Sequence, residues 1–154
     1  IAGSGPTDRD WNTPLLPGTN GSARLLADVF ARDGFTSLRY DKRASGARAR
    51  ENMPRLVGKV SMQSHLDELA GAVRTLAAQP TVRRDRLFAV ANSEGTLHAL
   101  HYQLQQPEIP LAGLVLIAVV PLVYISRAVS ASLAFGTSAA KLSGYSVAAQ
   151  SSKF

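Results

Sequence analysis

The chain has 154 residues, 45% of them hydrophobic and 18% charged, with a formal net charge of +6 at neutral pH. That composition fits one globular domain able to bury a core unaided, and excludes a disordered or fibrous chain. There is no cysteine, which excludes disulfides and thiolate metal sites. The three histidines form no metal-ligand cluster, so neither a metal nor another cofactor is expected.

Residues 3–22 read as loop, from Gly3, Ser4, Gly5 and Pro6 through Pro14, Pro17, Gly18 and Gly21. A helix is expected over 22–33, where Leu25, Leu26, Val29 and Phe30 recur at helical spacing and Gly34 supplies a stop. Segment 35–40 reads as a strand, followed by a glycine- and arginine-rich loop from Asp41 to about Val60. The next helix is expected over 64–79, with Ser64 and Asp67 as a capping pair and Leu66, Leu69, Val73 and Leu76 as its apolar stripe. Segments 86–91 and 111–120 read as strands apolar enough to be covered on both faces. Between them a helix from Ser93 to about Gln105 is expected to bury Leu97, Leu100 and Leu104.

Helices alternating with apolar strands predict an α/β core over 1–120 with a mostly parallel sheet. In such sheets ligands bind beyond the carboxyl ends of the strands. Residues 121–154, rich in serine and alanine and without acids or histidines, read as a separate tail. The apolar run 111–125 is broken by Pro121 and too short to span a bilayer, so no membrane partner is expected. No leader is visible, although a segment upstream of Ile1 would be out of view, and a cytoplasmic setting is the expectation. The basic run 42–50 has no aromatic partners. Nucleic acid is therefore not the expected partner, although a basic nucleic-acid binder is one alternative reading.

Segment 86–104, Arg-Leu-Phe-Ala-Val-Ala-Asn-Ser-Glu-Gly-Thr-Leu-His-Ala-Leu-His-Tyr-Gln-Leu, carries the chemistry. A strand runs into Ser93 and a helix leaves it, with Ala91 two residues before and Gly95 two after. A sharp strand-to-helix turn strains its central residue and admits only small neighbours at those two positions. It lifts the serine hydroxyl to the sheet edge and aims the Glu94 N–H at whatever the serine attacks. A plain N-cap is the alternative for Ser93, but a cap needs neither the small residue nor the buried strand.

Three stretches together resemble the α/β-hydrolase superfamily, in its serine peptidase and esterase-like branch. They are Gly3-Ser4-Gly5-Pro6-Thr7-Asp8-Arg9-Asp10, Tyr40-Asp41-Lys42-Arg43-Ala44-Ser45-Gly46, and Asn92-Ser93-Glu94-Gly95. The resemblance covers 1 to about 118 and implies a three-layer hydrolase fold and a serine hydrolase acting on esters. It implies Ser93 as nucleophile, and an oxyanion site made by the Glu94 N–H with an N–H from Gly3 or Ser4. Asp41 and Arg43 are expected to brace their loop.

The chain departs from the family in its acid and base. Relatives carry these after the nucleophile, whereas here only Glu94, His98, His101 and Glu108 follow Ser93. His98 and His101 are expected on the helix surface, out of reach of the hydroxyl. The strand before Gly3 is reduced to Ile1 and Ala2, so a chain truncated at both ends is expected, with a homodimer as one way to complete the sheet. His65 is the substitute base, with Asp67 or Asp41 to orient it, its helix starting about 10 Å from that of Ser93. An exposed His65 without chemistry is the alternative. The expected substrate is a short-chain carboxylic ester, and the rival function is an inactive fragment that binds or oligomerises.

Overall fold

The computed structural model describes residues 1–19 and 21–118, so the expected tail at 121–154 lies outside the described residues. Among the described residues the sheet has two strands, β1 (Phe88–Asn92) and β2 (Gly113–Ile117). They pair in parallel, from Phe88 opposite Gly113 to Asn92 opposite Ile117. Alternate residues of a strand bond to opposite sides. Leu87 and Ser93 turn toward β2, meeting Ala112 at 2.7 Å and Ile117 at 2.9 Å. Val90 and Asn92 turn the other way and meet Ile1 at 2.5 and 3.0 Å. The first residues of the chain therefore run along the far edge of β1.

The strand expected at 35–40 is not formed among the described residues. A strand exists only through its partner, and the Phe35 N–H of this segment bonds back to Phe30 O in the preceding helix, not to a neighbouring strand. Helices with a small parallel sheet make this a mixed α/β chain. No helix among the described residues is long and apolar enough to cross a membrane.

Helix α1 (Ser22–Arg32) stops where expected: Gly34 takes φ +80°, a left-handed conformation that favours glycine, and its N–H bonds Ala31 O at 3.1 Å. Its expected apolar face is largely uncovered, with Leu25 57% and Val29 48% exposed and only Ala23 buried. Two strands about 5 Å apart are too narrow to cover a helix about 10 Å across. The same narrowness leaves Phe88, Val115 and Ile117 exposed, against the expectation of strands covered on both faces.

Helix α2 (Ala49–Leu56) forms inside the expected loop, with Pro54 within it and no buried residue. Hydrophobic periodicity has nothing to report where no face is buried. Helix α3 (Met62–Ala77) begins earlier than expected. Its cap is Ser61, whose hydroxyl accepts from the Ser64 N–H at 3.2 Å while the Ser64 hydroxyl accepts from the Ser61 N–H at 2.9 Å. Ser64 is thus the far member of the capping box, and Asp67 instead accepts from Gln63 Nε2 at 2.9 Å.

Helix α4 (Gly95–Leu104) packs on both strands and on α3. Its buried face is Thr96, His98, Ala99 and Tyr102, whereas Leu104 is exposed and Leu97 and Leu100 are half-buried. The expected leucine stripe is therefore displaced. Polar residues can take the inner face because their polar atoms are satisfied there. Tyr102 donates to Ile109 O at 2.8 Å, and Thr96 Oγ1 to Ser93 O at 2.6 Å. The core lies between the sheet and α3 with α4, and includes Leu66, Leu69, Val73, Leu87, Ala89, Ile109 and Leu111.

Candidate active site

Ser93 sits between the end of β1 and the start of α4 with φ +51°. For a residue with a Cβ this left-handed conformation costs about 1–2 kcal/mol. Glu94, not Ser93, occupies the cap position of α4, and the Ser93 hydroxyl makes no hydrogen bond among the described residues. Ala91 is fully buried beneath it. Gly95 is small for a different reason than its spacing from Ala91. A Cβ there would lie 2.6 Å from Ala2 O and 2.7 Å from Ile1 O, so it is the backbone of residues 1–2 that demands glycine.

The Gly-Ser-Gly loop follows directly. A Cβ on Gly3 would lie 3.1 Å from Ser93 Cβ, so this loop is seated against the serine. Ser4 is exposed, and neither its N–H nor that of Glu94 donates to another group among the described residues. The loop is held from outside by residues 40–46. Asp41 accepts from the Arg9 N–H at 2.8 Å and from Arg9 Nη2 at 2.6 Å, and the Arg9 guanidinium holds its carboxyl below the usual carboxylate range. Gly46 is needed beside it, because a Cβ there would meet the Asp41 carboxylate at 2.3 Å. Arg43 pairs with Glu68 and donates to Ser64 O at 3.0 Å. Both residues brace the loop, as expected.

His65 and His98 are brought together rather than left at the surface. Their rings stack with centroids 4.9 Å apart and 27° between planes. His98 is 3% exposed. The acid beside His65 is Glu68, with Oε2 3.4 Å from Nδ1, not Asp67, which is exposed and turned to Gln63. Asp41 is engaged by Arg9. No hydrogen bond joins His65 to Ser93 among the described residues. Composition alone gave no hint of Glu68, but its position three residues after His65 on one helix face was a usable signal. Lys42, buried at 6% exposure, was also missed as a site residue.

Burial first, and then His65 and Lys42, hold the His98 imidazole down to about 4, with Glu94 and Glu68 opposing. The unfolded chain takes up that proton near pH 6.5 while the folded chain refuses it until about pH 4. Stability is therefore lost as the pH falls through this window, by about 3 kcal/mol in all. Urea unfolding at pH 7 and pH 4.5 should show this fall in the parent and a smaller one in His98→Phe, which keeps a stackable ring. Equal falls would refute the assignment to His98.

An apolar groove of about 460 Å³ lies between α1 and the carboxyl ends of the strands, lined by Trp11, Leu25, Leu26, Val29, Asn92 and Ile117. It adjoins the serine, since Asn92 precedes Ser93 and Ile117 O accepts the Ser93 N–H. Among the described residues no group of three histidine or carboxylate side chains is arranged to hold a metal. No family model matches the chain, and no curated protein and no solved structure matches it.

Proposed function

We propose that this chain is an α/β-hydrolase-like serine hydrolase that cleaves short-chain carboxylic esters through an acyl-enzyme on Ser93. The observation that carries the reading is the left-handed backbone of Ser93 at a strand-to-helix joint, with its hydroxyl free of a capping role. The hydroxyl oxygen attacks the acyl carbonyl carbon, and its proton passes to His65 Nε2, directly or through a water. The carbonyl electrons move onto oxygen, which the Glu94 and Ser4 N–H groups receive. Collapse expels the alcohol with that proton, and water then repeats the sequence to release the acid and restore Ser93. Glu68, at His65 Nδ1, favours the tautomer that leaves Nε2 free to accept.

Covalent labelling tests the reading. A fluorophosphonate should add to the peptide that contains Ser93, and the label should vanish in Ser93→Ala. Labelling elsewhere, or none, refutes it. The acyl group has the apolar groove to rest in, and its openness suits short chains. Val29→Trp fills the groove from an exposed position, and should lower turnover of a butyrate ester about tenfold relative to the acetate ester. An unchanged ratio removes the groove from the site.

A second reading, an inactive module that associates with itself, is favoured by one observation. Phe88 and Val115 are uncovered, and the outer edge of β2 has no partner strand among the described residues. Light scattering on the purified chain decides whether a homodimer forms.

A further inference from the structure

Lys42 is a buried ammonium in a loop otherwise held by surface ion pairs. Its Nζ donates to Gly3 O at 2.8 Å and lies 3.6 Å from Glu94 Oε2. These are the two places from which the oxyanion donors come. We infer that Lys42 is a positioning residue that locks the two halves of the oxyanion site together. The inference rests on the hydrolase reading above and deepens it.

The geometry follows from the peptide bond. Gly3 C=O and the Ser4 N–H belong to one planar trans unit and point in opposite directions. Holding the carbonyl oxygen on Lys42 therefore fixes the direction of the Ser4 N–H on the other side. Gly3 has no side chain to lock its own backbone, and it lies against Ser93, so an unheld peptide there is free to rotate. The second tie acts on Glu94. Its carboxylate is on the very residue whose N–H receives the oxyanion, and left unpaired it repels the developing negative charge. The Lys42 ammonium neutralises it.

Lys42 is itself held where it can do this. The Ser45 hydroxyl meets Lys42 O at 2.7 Å and Thr7 O at 2.8 Å. The Asp41–Arg9 and Arg43–Glu68 pairs pin its two chain neighbours. The motif around Lys42 thereby acquires a reason: its outer members brace the loop, and its middle member reaches inward to the site.

Steady-state kinetics on a short p-nitrophenyl ester test this, with the parent, Ser93→Ala, Lys42→Met and the double variant Lys42→Met with Glu94→Gln. A preorganised donor acts on the transition state and not on the bound substrate. Lys42→Met should therefore lower kcat about a hundredfold, the range for losing one oxyanion donor, with KM within about twofold of the parent. The double variant leaves no carboxylate unpaired, which keeps the test alive if Lys42→Met does not fold. It should remain more than tenfold slower than the parent, because the Gly3–Ser4 peptide is still unheld. Turnover that depends on Ser93 but survives both Lys42 variants, or a loss confined to KM, overturns the positioning role and leaves the hydrolase reading standing. Turnover indifferent to Ser93→Ala overturns both.

Discussion

Ser93→Ala is expected to reduce hydrolysis of p-nitrophenyl acetate about a thousandfold, leaving only the residual acceleration of the oxyanion donors and binding. The size follows from what the site lacks. No histidine is hydrogen-bonded to the hydroxyl among the described residues, so the proton reaches His65 over a longer path or through a water, and the serine adds less than in a complete triad. Oxyanion donors and binding alone retain roughly 10³- to 10⁴-fold acceleration over water when a triad member is lost. Removing the nucleophile removes the acyl-enzyme and leaves only that residual rate, a loss of about 4 kcal/mol in transition-state stabilisation. A burst of nitrophenolate before the steady rate should disappear with it.

The same position separates a nucleophile from a cap by its effect on stability. At φ +51° a Cβ is strained. Ser93→Gly should therefore be inactive yet more stable than the parent by about 1 kcal/mol. A capping serine behaves otherwise: glycine in its place costs a few tenths of a kcal/mol and alanine about 1. Urea midpoints of the three proteins decide. A less stable Ser93→Gly with unchanged ester turnover would return Ser93 to the ordinary start of a helix.

What was legible in the sequence was local. The strand-turn-helix around Ser93 shows in the run 86–104, because an apolar run leads straight into a serine from which a helical pattern leaves. Gly95, however, answers to the backbone of residues 1–2 and not to Ala91. Helices α1, α3 and α4 show through periodicity or a stop signal. What could not be read depends on partners distant in sequence. The strand expected at 35–40 has suitable residues but no ladder to join. The leucines of α4 promised one buried face, and the helix turned another inward because His98 found His65 and Tyr102 found Ile109 O. Lys42 looked like one more cation in a basic loop, and only tertiary contact shows it aimed at Gly3 O. Glu68 shares a helix face with His65 at a spacing of three, whereas Asp67, two residues away, turns to Gln63.

The largest expected loss of stability comes from one methyl group. Alanine at position 95 is the better helix former, and by propensity alone Gly95→Ala should stabilise α4 by nearly 1 kcal/mol. Packing opposes this. The new Cβ would lie 2.6 Å from Ala2 O and 2.7 Å from Ile1 O, and both are backbone atoms that cannot rotate aside. Relief requires the first residues to leave β1, breaking the bonds of Ile1 with Val90 and Asn92 and unseating Gly3 from Ser93. Overpacking of this kind typically costs 1–3 kcal/mol, to which the lost hydrogen bonds add about 1 each. A net loss of about 3 kcal/mol is expected, read as a lower urea midpoint with an unchanged slope. Ester turnover should fall with it even under conditions where the variant remains folded, because the half of the oxyanion site that begins at Gly3 is displaced. Should Gly95→Ala instead gain stability while turnover holds, residues 1–3 are not docked against the helix, and the pairing of their loop with Ser93 fails.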